Sequence, residues 1–335
     1  MGTESWLNKA LLMKALPEAT SIDDVIELPS ITKGNNLLCD VSRAVVHWNN
    51  GTNQTTSLFF KQQFKHFPTL TENEVCVYTK VLPRMFALLE KNDFCPKFYH
   101  CSDPDNILIL EDLATSGFQM SCLSELVDYE HCEAAMRTIA KYHAASILLH
   151  QDDAQLVEKI GSNGIAGNKD FLKLMVDISL RVLAETIEAW PEVRGYSAKI
   201  NDLRSIAKEK IIDLFAPDER SVLNHGDFTV NNMMFRYDNN AIRESRMFDF
   251  QLPSYASFAL DLQTFLISSA KADVLSNRLH DLLLIYQETI NSTLSKCGSA
   301  KAFKLEDIEQ EFRRADLFGV YTSSTLFCMR AVGAK

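Results

Sequence analysis

A chain of 335 residues with 46% hydrophobic content can build two lobes around a sizeable core, since domains average about 150 residues. A formal charge of −10 with no basic block argues against nucleic acid and anionic membranes as main partners, and no stretch approaches the roughly 18 apolar residues of a membrane helix. The eight cysteines are irregularly spaced, with no C-x-x-C pair, and residues 1–16 lack an apolar signal region. They read as reduced thiols of a cytoplasmic protein, and the sequons at Asn50, Asn53 and Asn291 as unused.

In chain order, Ser5–Leu16 carries apolar residues at helical spacing and predicts an amphipathic helix packed on a small lobe. Ile22–Ile31 is irregular and bounded by Pro29. Lys33-Gly34-Asn35-Asn36 suits a tight turn. The amides at Gly34 and Asn35 could cradle phosphates, or the segment is an ordinary hairpin turn. Leu37–Trp48 and Ser57–Phe64 are β-like runs joined through Asn49-Asn50-Gly51-Thr52, a hairpin signal. Alternation puts Phe59, Lys61 and Gln63 on one face. Lys61 is then either a solvated strand lysine or a contact to nucleotide phosphates. Thr71-Glu72-Asn73-Glu74 has the form of a capping box opening a helix. Glu74 either reaches back to the cap amide or pairs with Lys61, as kinases require. Pro83 should end or kink this helix, which Arg84–Lys91 continues. Phe98–His100 and Ile107–Leu110 complete a small sheet, and the chain crosses to the second lobe at Glu111-Asp112-Leu113.

The remainder reads mainly as helix: Cys132–Leu149, Phe171–Trp190, Ile200–Phe215, Ala259–Ser269, Ala272–Ser295 and a last run from Leu305. His143 reads as a packed core histidine rather than a ligand. Asp261 lies in the first turn of its helix, where an acid suits the dipole.

Chemistry concentrates in Ser221–Gln251. His225-Gly226-Asp227 follows a short apolar strand. Met233–Phe235 and Met247-Phe248 read as the arms of a hairpin turning at Tyr237-Asp238-Asn239-Asn240. The hairpin would bring Asn232 beside Asp249, so that Asp227, Asn232 and Asp249 converge. Phosphoryl transfer needs such a set. One carboxylate orients the attacking hydroxyl and accepts its proton, while an amide oxygen and a second carboxylate hold magnesium. The spacing, Asp227, then Asn232, then Asp249-Phe250, parallels the protein-kinase catalytic loop and metal triplet.

His-Gly-Asp in place of His-Arg-Asp resembles small-molecule kinases of the aminoglycoside and choline phosphotransferase type. LNHGDFTVNNMMFRYD and MFDFQLPSYASFALDLQTFL are similar to the insect ecdysteroid-kinase-like family, also called CHK-kinase-like. FFKQQF, ENEVCVYTKVLP, LILEDLATSGF and AKYHAAS agree, so the resemblance runs from about Gly34 to about Phe327. It implies an α+β, two-lobed protein-kinase-like fold. A small sheet-containing nucleotide lobe would span 1–111 and a large, mainly helical catalytic and acceptor lobe 112–335. It also implies ATP and Mg2+ as cofactors and transfer to a hydroxyl of a lipophilic alcohol, such as an ecdysteroid or xenobiotic. A choline- or aminoglycoside-type kinase and an inactive kinase-like binding protein are the alternatives. Asp227 would be the base, Asn232 and Asp249 the metal ligands, Lys61 the phosphate contact and Glu74 its orienter. His225 would hold the loop. Gly34 and Asn35 would occupy the phosphate turn, Leu110–Leu113 the adenine hinge, and Asp261 would brace the catalytic loop through backbone amides. Phe171–Val176 and Phe318–Phe327 would wall the acceptor pocket, unless they are core. Phe228-Thr229 stands where the family carries Leu-Trp, which implies a changed pocket floor. Family members also extend some tens of residues beyond the position of Lys335. The chain is expected to act as a monomer.

Overall fold

Strand alternation in the first third of the chain builds one antiparallel sheet. In the computed structural model β1 (Ser21–Leu28), β2 (Cys39–Asn49), β3 (Asn53–Gln63), β4 (Phe98–Ser102) and β5 (Ile107–Glu111) lie in the order β1-β2-β3-β5-β4. The structure describes residues 7–29, 39–63, 68–91, 93–102, 106–121, 125–163 and 167–333. Gly34 and Asn35, proposed from sequence for the phosphate turn, lie outside them. On one sheet face Ala44, Val46, Leu58, Phe60, Ile107 and Ile109 bury against Leu11, Leu12 and Ala15 of α1 (Lys9–Ala15). The side chain of Asn8 caps that helix by accepting the amide of Leu11 at 3.0 Å. The opposite face carries Lys61, paired in register with Val41 and Leu108.

Two expectations are corrected here. Residues 22–31 were expected to be irregular, yet Ser21–Leu28 is a strand. A register shift between Ile22 and Asp24 breaks the alternation, and only Ile22 of this edge strand is buried. Nor does the capping box form. Helix α2 (Pro68–Cys76) begins ahead of Thr71, which lies buried inside it. Pro83 acts as anticipated: a π-turn (Val77–Val81) precedes α3 (Leu82–Leu89), absorbing the hydrogen bond the proline cannot donate.

The C-terminal part is mostly helix. It holds α4 (Tyr129–Asp152), α5 (Ala154–Gly161), α6 (Lys169–Glu188), α7 (Ser197–Leu214), α8 (Ala259–Ser269), α9 (Ala272–Lys296), α10 (Leu305–Arg314) and α11 (Asp316–Gly333). Two small sheets interrupt it: β7 (Ser221–Asn224) with β10 (Ser254–Ser257), and β6 (Phe118–Gln119), β8 (Met233–Asp238) and β9 (Ala241–Met247). The β8–β9 turn is the predicted one. Asn239 and Asn240 take φ of 49° and 65°, the left-handed pair that matches strand twist in a two-residue hairpin. One apolar core runs from Val77, Tyr78 and Leu108 of the small lobe into α4, β7–β9, α8 and α9. At their junction the Phe250 ring sits 5.5 Å from Tyr78 and 5.6 Å from Tyr142. Among the described residues, Cys39, Cys76, Cys95, Cys101, Cys132 and Cys297 are free thiols, and no helix is long and apolar enough to cross a membrane.

Candidate active site

The loop that carries Asp227 leaves β7 at Asn224, whose buried amide donates to the carbonyls of Val222, Ser254 and Ala256. Gly226 then takes φ of +85°, and a Cβ there would stand 1.7 Å from the carbonyl oxygen of Leu252. Only glycine fits this turn. Asp261, in the first turn of α8, accepts the His225 N–H at 2.6 Å and the Gly226 N–H at 3.0 Å. Its carboxylate also meets Nε2 of His143 from α4 at 3.1 Å, and Nδ1 of that ring meets the Tyr286 hydroxyl of α9 at 2.9 Å. His143 is fully buried, and burial holds its pKa below the ordinary value. It is a core histidine, and the core it serves lies directly beneath the loop. His225 is structural as well: Nδ1 accepts the Asp227 N–H at 3.3 Å, leaving Nε2–H to donate to the Phe248 carbonyl at 2.9 Å.

Asp227 ends the loop. The side-chain amide of Asn232 donates to its carboxylate at 2.8 Å and its carbonyl at 2.9 Å. Burial raises the Asp227 pKa, aided by the nearby Asp249 carboxylate and opposed by His225 and the Asn232 bond. That shift makes the carboxylate a stronger proton acceptor than a free one. With Nδ2 so engaged, Oδ1 of Asn232 receives no donor among the described residues. The backbone bond from Phe248 N–H to the Asn232 carbonyl, at 3.0 Å, sets Asn232 beside Asp249. Asp249 takes φ of 73°, a conformation uncommon outside glycine and typical of functional sites. One of its oxygens is 2.6 Å from Lys61 Nζ; the other carries no bond among the described residues. Asn232 and Asp249 therefore present hard oxygen donors of the kind magnesium takes.

Lys61 Nζ also lies 3.0 and 2.8 Å from the two oxygens of Glu74. Burial works against its ammonium, but Asp249 and Glu74 outweigh burial and raise its pKa. For Glu74, burial dominates and raises the carboxyl pKa despite Lys61. Thus Asp227, Asn232, Asp249, Lys61 and Glu74 come together, and Gly34 and Asn35 are outside the described residues.

Sequence reasoning missed three neighbours. Gln251 donates to Glu74 at 3.3 Å, and Asn73 donates to the Gln251 carbonyl at 3.1 Å. Cys39 feels Lys61 and Asp249, yet burial pushes its thiol up to about 11. At the crossing, buried Asp112 accepts Arg43 of β2 at 2.8 Å. Gln251, directly after Asp249-Phe250, and Asn73, inside Thr71-Glu72-Asn73-Glu74, both lay within stretches already singled out, but neither stretch pointed to the bond between them. The expected acceptor wall divides: Leu172, Phe318 and Tyr321 are core, whereas Phe171, Leu174 and Val320 are exposed. The side chains of Leu326 and Phe327 are outside the described residues. Phe228 is fully buried, its ring 5.0 Å from Phe265, and Thr229 is buried too.

None of the curated proteins matches the chain. In fold it is similar to the GDP complex of wild-type aminoglycoside 2'-phosphotransferase-IIIa, with a TM-score of 0.50, 12% identity, and coverage of 96% of this chain and 91% of that one. APH(2")-IIia with GDP and kanamycin gives a TM-score of 0.48 at 14% identity, covering 96% and 92%. Macrolide 2'-phosphotransferase MphH from Brachybacterium faecium gives 0.42 at 16% identity, covering 97% and 96%. These likenesses concern the fold alone. The sequence profile of the ecdysteroid kinase-like family matches residues 33–299, four-fifths of the chain. The chain belongs to the ecdysteroid kinase-like family.

Proposed function

We propose that this protein transfers the γ-phosphoryl group of ATP to a hydroxyl of a small lipophilic alcohol, such as an ecdysteroid or a xenobiotic. The observation that carries the reading is the convergence of Asp227, Asn232, Asp249, Lys61 and Glu74 in one cleft. Asp227 takes the proton of the acceptor hydroxyl. The acceptor oxygen bonds to the γ-phosphorus, the bond to the β–γ bridging oxygen breaks, and a phosphate monoester and ADP leave. Lys61 holds nucleotide phosphates while Glu74 keeps it in place. Bound Mg2+, held by Asn232 Oδ1 and Asp249, would neutralise charge on the phosphates. Asp261 and His225 fix the loop so that Asp227 costs little reorganisation at reaction. The lobes divide near Glu111, and the protein works as a cytoplasmic monomer.

Family membership supports the lipophilic acceptor, and the exposed Phe171, Leu174 and Val320 supply apolar surface on the large lobe. The test is turnover of Mg·ATP with an ecdysteroid, choline and kanamycin under one set of conditions. GTP is included because the solved aminoglycoside 2'-phosphotransferase-IIIa holds GDP. The ecdysteroid is expected to be the best acceptor. Choline or kanamycin as the clearly better substrate overturns the lipophilic reading. Tight Mg·ATP binding without turnover of any hydroxyl compound marks an inactive binding protein.

A further inference from the structure

The segment from Asp249 to Leu252 touches both halves of the site. Asp249 bonds Lys61 at 2.6 Å. The Gln251 side chain donates to the Glu74 carboxylate at 3.3 Å, and its carbonyl accepts the Asn73 amide at 3.1 Å. The Leu252 carbonyl lies against Gly226, one residue before Asp227, with no room for a Cβ between them. Asn73, Glu74 and Gln251 are all buried, so these bonds are shielded from competing water.

We propose that Gln251 is a positioning residue: its side-chain amide holds the Glu74 carboxylate, and through it Lys61, in register with the segment that carries Asp249. Two consecutive residues of α2 grip this one position, one by its backbone and one by its side chain. A shift of α2 relative to the metal-binding segment must break both bonds. The chemistry also demands a neutral donor here. The Glu74 carboxylate has no exposure to water, so an apolar side chain at 251 removes one of its donors without solvent to replace it. A carboxylate at 251 would add a third negative group beside Glu74 and Asp249. The neutral amide supports Glu74 without competing for Lys61, whose ammonium stays available for phosphate when a cation takes over Asp249.

The inference rests on Lys61 being the phosphate contact, and the experiment separates the two. Calorimetry on the full chain measures the affinity for Mg·ATP and for adenosine, which lacks phosphates. Gln251→Met should weaken Mg·ATP about tenfold, the scale of one hydrogen bond to a charged group, and leave adenosine unchanged. Gln251→Glu should weaken Mg·ATP further. In a Glu74→Gln background, Gln251→Met should add almost nothing, because the partner it acts through is already neutral. Should Gln251→Met fail to fold, Gln251→Asn, with its amide one methylene short, carries the same comparison. Parental Mg·ATP affinity, equal losses for ATP and adenosine, or full additivity with Glu74→Gln would each overturn the proposal. Lys61→Met with unchanged Mg·ATP affinity overturns the phosphate reading and this inference with it. A Lys61→Met loss beside a silent Gln251→Met removes the inference alone.

Discussion

Gly226→Ala tests how tightly the catalytic loop is held. The methyl would arrive 1.7 Å from the Leu252 carbonyl oxygen and 2.6 Å from its carbon. To reach ordinary contact the two backbones must part by about 1.5–2 Å. The left-handed conformation at φ +85° adds about 1–2 kcal/mol for a residue with a Cβ. The loop cannot yield on its other side, where Asp261 grips the His225 and Gly226 amides at 2.6 and 3.0 Å. The Leu252 side must move, and it carries Asp249 three residues away. A displacement of about 1 Å at a reacting group costs on the order of 10²-fold in rate. We expect turnover of ATP with any competent acceptor to fall by at least that factor. Tm should drop by roughly 3–4 °C, as about 2–3 kcal/mol implies for a chain of this size. The assay pairs a thermal melt with coupled ADP release. Parental rate and parental Tm in Gly226→Ala would refute both the close approach and the placement of the loop.

Other variants probe single roles. Asp249→Ala should abolish the magnesium dependence of ATP binding; equal affinity in variant and parent, by calorimetry with and without Mg2+, would show that Asp249 holds no metal. Asp227→Asn should lower turnover by about 10²- to 10⁴-fold with nucleotide affinity unchanged. Burial and the Asp249 carboxylate raise the Asp227 pKa above its ordinary 3.8, so turnover should fall as pH drops through that raised midpoint. The same shift has the opposite sign for stability. The folded state binds the proton more tightly, so this group's contribution is full below the ordinary value and is lost as pH rises through the folded midpoint. A pH–rate profile whose acid limb persists in the residual activity of Asp227→Asn would assign that limb elsewhere. Asp261→Asn turns an amide group toward two backbone donors, each bond worth about 1.5–3 kcal/mol. It should lower Tm and turnover while Mg·ATP affinity holds, and unchanged turnover would free Asp261 of its bracing role.

The catalytic hairpin was legible because its signals are local. Two asparagines that tolerate positive φ, flanked by alternating apolar residues, fix the register, and the register fixes Asn232 against Asp249. Lys61 was legible by face, and Glu74 as its partner chiefly through the family resemblance. Strand alternation placed Lys61 on one face with Phe59, while the local pattern at Glu74 also fitted a capping residue, a reading removed by the helix starting before Thr71. There a tertiary ion pair overrides a local pattern. Edge strand β1 escaped because one bulge erased its period. Asn73 and Gln251 escaped for another reason. Each is a polar residue whose partner lies more than 170 positions away, and no periodicity records such a pairing. The Asp261 brace had the same difficulty, and only the family resemblance named it in advance.

The bonds joining Lys61 to Asp249 and Asn73 to Gln251 span 188 and 178 positions of chain. Contacts of such separation form only after the intervening loop entropy has been met, so they close late in folding. No fragment ending near Glu111 can therefore assemble the whole of the proposed nucleotide site. Because the ligand binds only the assembled form, it stabilises that form by mass action. Amide exchange should then slow together in α2 and in the segment around Phe250 when nucleotide is added, although the two belong to different halves of the sequence. The bonds of Lys61 with Asp249 and of Asn73 with Gln251 thus tie the stability of α2 to that of the segment around Phe250.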